Sequence, residues 1–412
     1  MLNVKLIREN ILVEAPTGAG RQSLVSTIGV AIVIASLFWF DFLNSAFGVP
    51  VPREMLLGAG LTLCLFDIVG RFLNDREMHV DYFLITMFSL NFLFLLIQVG
   101  RGYAFKDLSF SIGPVIAAIL VVNRTANLRT ALLATMAICV AFELFESTTQ
   151  TFVFVYHSNT VGTLDAKEFL GNASNFRAKG LFAGPITTTA FLALNFLHAP
   201  SAWNWLGVAL GSTLAFGRNG QFFALMGTIS MVTGQPEFRR LATRFLPFAL
   251  IVLAVALAVS EVAAPDLLVN SLTRFLAAFN MQDSANLSRV YMWEFGFGLL
   301  ADHDTLPEIA LGIPDQTSRY NIMGVESSVL SIGIEYGVVG LMIYAIGLAR
   351  LAGHYLRTKP HLLVVFAGLI VYISTVSMLR QLGFCVLLWC TIFESVQTTD
   401  PPERGPAPGN ES

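Results

Sequence analysis

Apolar residues fall in long unbroken runs along this chain, separated by short polar stretches. Runs of spanning length, or nearly so, lie at about 24–47, 54–73, 80–99, 107–122, 128–146, 181–198, 201–217, 219–233, 245–262, 327–349, 361–378 and 382–396. A helix needs about 20 mainly apolar residues to cross a bilayer. The runs 107–122, 219–233 and 382–396 are short, so a count of about ten or eleven spans is the alternative to twelve. The runs are continuous and do not alternate with a period of two, which selects helices over a β-barrel. The pattern predicts an all-α, polytopic membrane protein with about 12 transmembrane helices.

The polar stretches divide the chain. Residues 1–23 are polar and mixed in charge, without a signal-peptide cleavage pattern, so the first helix is expected to remain as an anchor. Residues 24–262 carry the first nine spans, with a loop at 147–180. Residues 263–326 form the one long loop able to build a small extra-membrane unit, and 327–396 carry the last three spans. Within the long loop, Asp266–Phe279 and Ser288–Leu300 have apolar residues at helical spacing and read as short amphipathic helices at a membrane surface. The tail 397–412, rich in Pro, Gly and polar residues, is expected to be disordered. No internal repeat is visible, which weakens a repeat-built transporter.

Composition sharpens the class. The 412 residues are 55% hydrophobic and 13% charged, with a mean hydropathy of +0.66. Soluble domains carry about 25% charge, so an ordinary soluble enzyme and a disordered protein are excluded. A net charge of −3 provides no basic field for nucleic acid. Cys64, Cys139, Cys385 and Cys390 all fall inside apolar runs, without metal-site or disulfide spacing, and read as small buried side chains.

With the N-terminus inside, fourteen of the 25 Lys and Arg lie on the inner side. Three of the outer ones, Arg274, Arg289 and Arg319, stand in the long loop, where the positive-inside rule loses force. Both termini are therefore expected in the cytoplasm, with the two long loops outside. The outer arginines are then the informative ones, because topology does not account for them. Arg177 and Lys179 stand in NFRAKGLFAGP before a helix, Arg218 at a tight turn in AFGRNGQ, and Arg289 in NLSRVYMWEFG. Carboxylates share that level: Glu143, Glu146, Glu261 and Glu326, with Glu335 nine residues further on and about 13 Å deeper. If one helix held both Glu326 and Glu335, the nine residues between them would turn them to opposite faces, unless that helix begins after Glu326. Ser328 and Ser331 share a face with Glu335.

Guanidinium groups at this depth suit phosphate oxygens, which they grip bidentately without losing charge. A neighbouring carboxylate could take the proton of an attacking sugar hydroxyl. Blander readings stand beside this: Arg177 and Lys179 as headgroup-facing side chains, Arg289 as surface charge, Glu335 as an inter-helix hydrogen-bonding group, Glu326 as a helix-start residue, and Asp41 and Asp67 as structural.

At these residues the sequence resembles the O-antigen ligase and Wzy-type polysaccharide polymerase superfamily. FRAKGLFAGP is similar to the family's Arg-x-x-Gly-Leu element before a helix, and AFGRNGQFFALMG to its short Arg turn. SRVYMWEFGFGLLADH is similar to its large-loop element, and VESSVLSIGIEYGVVGLMIY to its closing element with Glu-x-Gly-x-x-Gly. The likeness covers about residues 170–345, nearest to the exopolysaccharide polymerases. It implies about twelve helices, a large periplasmic loop between the ninth and tenth, no metal and no cofactor. It also implies loop arginines that hold undecaprenyl pyrophosphate, carried over here to Arg177, Arg218 and Arg289. Ligases carry a His where this chain has Glu326, and His303 is the only histidine of the long loop. That departure points to a polymerase, with Glu326 or Glu335 as base and Arg177, Lys179, Arg218 and Arg289 on the substrate. The implied partners are the undecaprenyl-pyrophosphate-linked oligosaccharide, membrane lipids, a flippase and a chain-length regulator. The rivals are a ligase of the same fold and a flippase without bond chemistry.

Overall fold

The computed structural model describes residues 24–47, 52–74, 81–103, 105, 108–123, 125–149, 151–154, 157–158, 162–163, 178–182, 184–215, 217–234, 276, 280, 282, 284–313, 325 and 327–397. Helices occupy every predicted apolar run except 245–262, which lies outside the described residues, as does nearly all of Asp266–Phe279. The described residues are all-helical apart from one two-residue antiparallel pairing, His157 with Thr163 and Ser158 with Gly162.

In chain order the helices are α1 (Leu24–Phe47), α2 (Arg53–Asn74), α3 (Tyr82–Gly100), α4 (Ser109–Val122), α5 (Thr125–Thr149), α6 (Pro185–His198), α7 (Ala202–Leu214), α8 (Arg218–Gly234), α9 (Ser284–Ala301), α10 (Leu306–Leu311), α11 (Ser328–Thr358), α12 (Leu362–Thr375) and α13 (Leu382–Gln397). Among the described residues, five are long and apolar enough to cross a membrane: α1, α2, α3, α5 and α11. Their starts are legible locally. Asp81 accepts from Phe83 N, Ser201 from Asn204 N and Ser327 from Leu330 N, each supplying a partner for a first-turn N–H. Because Ser327 is the cap, α11 begins after Glu326, so the two glutamates do not share a helix.

α13 is enclosed along most of its length and sits in the middle, with Trp389, Ile392 and Phe393 fully buried against α4, α6 and α11. α6 is likewise enclosed from Thr188 to His198. α2 and α3 instead leave Phe66, Phe72 and Leu93 exposed, as helices facing hydrocarbon do. α9 departs from the expected amphipathic pattern. Its open face carries Tyr291 and Phe297, while Gly296 and Leu299 pack on α11. α11 outruns the expected 349 because Leu351 and Tyr355 continue its buried stripe four residues apart while Arg350 and Arg357 face out. Pro360 lies just beyond its end and cannot extend it.

All four cysteines are buried and unbridged, as their positions predict. Charged groups collect at two ends of the bundle. One end holds Asp67 and Arg71, 2.9 Å apart, and Arg129 with Glu394, 2.8 Å apart, with His198 Nε2 3.4 Å from the other Glu394 oxygen. The opposite end holds Arg53, Lys179, Arg218, Glu335 and Arg380.

Candidate functional site

At the Arg53 end two interruptions of helix geometry place side chains. α1 widens into a π turn over Ala35–Trp39. Such turns displace backbone carbonyls from regular pairing, and here Arg53 Nε and Nη2 donate to the carbonyls of Ser36 and Leu37, at 2.9 and 3.0 Å. α11 breaks at Gly337, whose φ of 63° favours glycine. The carbonyls freed there are met from outside: Ile313 N donates to Ile334 O (3.0 Å) and the Tyr103 hydroxyl to Glu335 O (2.7 Å). Gly312 and Ala310, at the end of the capped helix α10, press into the break so closely that a Cβ on Gly337 would stand 2.6 Å from the Ala310 oxygen.

The break sets Glu335, 5% exposed, against Arg380, with which it forms an ion pair. Arg380 lies in the 3-10 turn Met378–Arg380, which Ser328 fixes: its Oγ donates to Val376 O (2.8 Å) and accepts from Leu379 N (3.1 Å). Beside the pair is a cavity of about 340 Å³. Asp41, Arg53, Glu54 and Arg380 supply its charges, and Phe38, Phe182 and Phe384 line it as one mutually packed group.

Lys179 is fully buried, which overturns both its expected place on the substrate and its reading as a headgroup-facing side chain. Its Nζ lies 3.3 Å from the ring centre of Phe154 and 5.4 Å from that of Phe152. Burial pulls its pKa down to about 8, against the opposing pull of the Glu146 and Asp41 carboxylates. Glu146 holds this stretch by accepting from the backbone N–H groups of Lys179, Gly180 and Val153, at 2.7, 3.0 and 3.1 Å. Neighbouring Glu143 is buried, and its carboxyl oxygens accept no hydrogen bond among the described residues.

Three successive threonines at the start of α6 tie these parts together, because each step of about 100° turns a side chain to a different neighbour. Thr187 lines the cavity. Thr188 donates to the carbonyl of Lys179. The Thr189 and Tyr372 hydroxyls are 3.0 Å apart. Thr189 also abuts Gly217, the residue before Arg218, and Arg289 acts electrostatically on Tyr372. Arg218, Arg289, Lys179 and Glu335 therefore gather at one end of the bundle. Arg177, Glu261, Arg319 and Glu326 lie outside the described residues. His303 is buried beside Asp302 and Glu308, and burial lowers its pKa. Asp67 is paired with Arg71 at the other end, a structural role.

Sequence reasoning missed Arg53 and Arg380. Both are cations that the expected topology puts on the outer side, and Arg380 interrupts two apolar runs much as Arg218 does, so the criterion that selected Arg218 reaches it too. Asp41, read as structural, also lines the cavity. Among the described residues, no cluster of His, Cys, Asp and Glu is suited to hold a metal. Comparison with known proteins finds no family model that matches the chain and no curated protein that matches it.

Proposed function

We propose that this chain is a polysaccharide polymerase of the bacterial inner membrane. It would have about twelve spans, cytoplasmic termini and a periplasmic loop between the ninth and tenth. The growing glycan on undecaprenyl pyrophosphate is the donor and the sugar hydroxyl of a new lipid-linked unit is the acceptor. The acceptor oxygen bonds to the anomeric carbon, the bond from that carbon to the pyrophosphate breaks, and the pyrophosphate departs with the electron pair. Arg218 and Arg289, with Arg177, hold the leaving pyrophosphate by charge. Glu335, oriented by Arg380, takes the acceptor proton, and Glu326 is the second candidate for that role. Lys179, expected on the substrate, is fully buried against Phe152 and Phe154 and is left out of direct substrate contact.

The observation that carries this reading is the gathering of Arg218, Arg289 and the Glu335–Arg380 pair at one end, where Arg380 lines a cavity. A flippase would instead need charge lining a path through the bundle.

The test is a deletion strain complemented with Arg218→Ala or Arg289→Ala, with membrane protein levels matched and glycan resolved by size. Each variant should cut long-chain product by about 100-fold and accumulate single lipid-linked units. Long glycan that stays on the lipid assigns the chain as a ligase. Normal chain lengths from both variants overturn the arginine site.

A further inference from the structure

Resting on the polymerase reading, we propose that the cavity between α1, α2 and the Arg380 turn is the seat of the acceptor's sugar ring. The residues that recognise it are Asp41, Arg53 and Arg380.

At about 340 Å³ the cavity falls within the range of small-ligand pockets. Its charges are of both signs: Arg53 and Arg380 against Asp41 and Glu54. Two carboxylates repel a phosphate, so the pyrophosphate belongs with Arg218 and Arg289. A sugar hydroxyl, however, donates and accepts at once. It can give its hydrogen to a carboxylate and take one from a guanidinium, and charge-assisted bonds of that kind are the strong ones.

The guanidinium of Arg53 is fixed for this use. Nε and Nη2 are held by the π-turn carbonyls, and Nη1 makes no hydrogen bond to a described residue. The immobilised fork costs little further ordering when a ligand arrives. Phe38, Phe182 and Phe384 brace one another and give an apolar wall for the C–H face of a ring. Glu54, Phe105 and Gln381 are exposed and form the mouth. Because Arg380 both lines the cavity and pairs with Glu335, a ring bound there brings its hydroxyls to the side of the proposed base.

The experiment uses the full chain in lipid nanodiscs. The probe is the oligosaccharide released by mild acid from the lipid-linked fraction of a strain lacking this chain, and binding is read by titration calorimetry. Asp41→Asn removes a recognition charge. Gln381→Trp changes only an exposed residue and blocks the mouth, so it stays informative if the first variant folds poorly. Each should weaken binding about tenfold or more. Wild-type binding that both variants retain overturns the cavity assignment and leaves the polymerase reading standing. So does a probe that accumulates in the strain but does not bind. If no lipid-linked units accumulate, the polymerase reading fails and takes this assignment with it.

Discussion

Neutralising one member of the Glu335–Arg380 pair should cost far more than neutralising both. Glu335 keeps 7% of its side-chain exposure and Arg380 24%, so water screens the arginine only in part. Removing one partner from a buried pair costs about 3–5 kcal/mol, because the other charge stays desolvated, and the partial exposure of Arg380 places this pair near 3 kcal/mol. Glu335→Gln keeps the side-chain shape and removes the charge, and Arg380→Gln does the converse. At about 2.1 cal/mol/K of unfolding entropy per residue, a loss of about 3 kcal/mol in a chain this long lowers the melting temperature by about 3–4 °C. The double variant leaves no buried charge and should fall by about 1 °C, less than either single variant. The measurement is thermal unfolding of all four proteins in the same nanodisc lipid. A double variant whose loss equals the sum of the singles would show that the two groups do not interact, and Glu335 would no longer be a carboxylate oriented by Arg380.

Gly180 has a φ of 57°, and a Cβ there would stand 2.9 Å from the Cys139 oxygen, so Gly180→Ala should cost about 1–3 kcal/mol, read as a lower melting temperature. Tyr103→Phe deletes the donor to the Glu335 carbonyl and should cost about 1 kcal/mol by the same assay. The pKa of Lys179 is about 8 in the folded protein against 10.5 for a free lysine. Below pH 8 both states hold the proton and this group gives stability no slope. Between about 8 and 10.5 the unfolded chain binds more protons, so stability rises with pH. Lys179→Met should abolish that rise in melting temperature, and a rise of equal size in the variant assigns it to another group.

Most helices were legible in the sequence because they are long apolar runs, and their polar interruptions marked the ends; α10, six residues with Glu308, was not. What was not legible depends on pairings distant along the chain. Glu335 and Arg380 are 45 positions apart and meet only because α11 breaks at Gly337 and Ser328 clasps the turn after α12. In the sequence Gly337 is one glycine among 33. The burial of Lys179 was hidden for the same reason. Its partners, Phe152 and Phe154, stand in another stretch of the 147–180 loop, and a lysine beside a predicted span reads by default as facing headgroups.

The two ends of the bundle hold their charges differently, and the difference separates use from topology. At the Arg71 end, Arg71 has Asp67 four residues earlier and the Val122 carbonyl at 3.0 Å, and Arg129 has Glu394. These are partners that neutralise a charge. At the Arg53 end, Arg53 is fixed by backbone carbonyls, which orient a guanidinium without cancelling its charge, and Asp41, Glu54 and Arg380 border the same open volume. Charge at membrane depth is costly enough to be kept for function or removed by pairing. An arginine needed only for topology is served by the first arrangement. The second makes physical sense when something polar enters the cavity and completes the hydrogen bonding of Arg53.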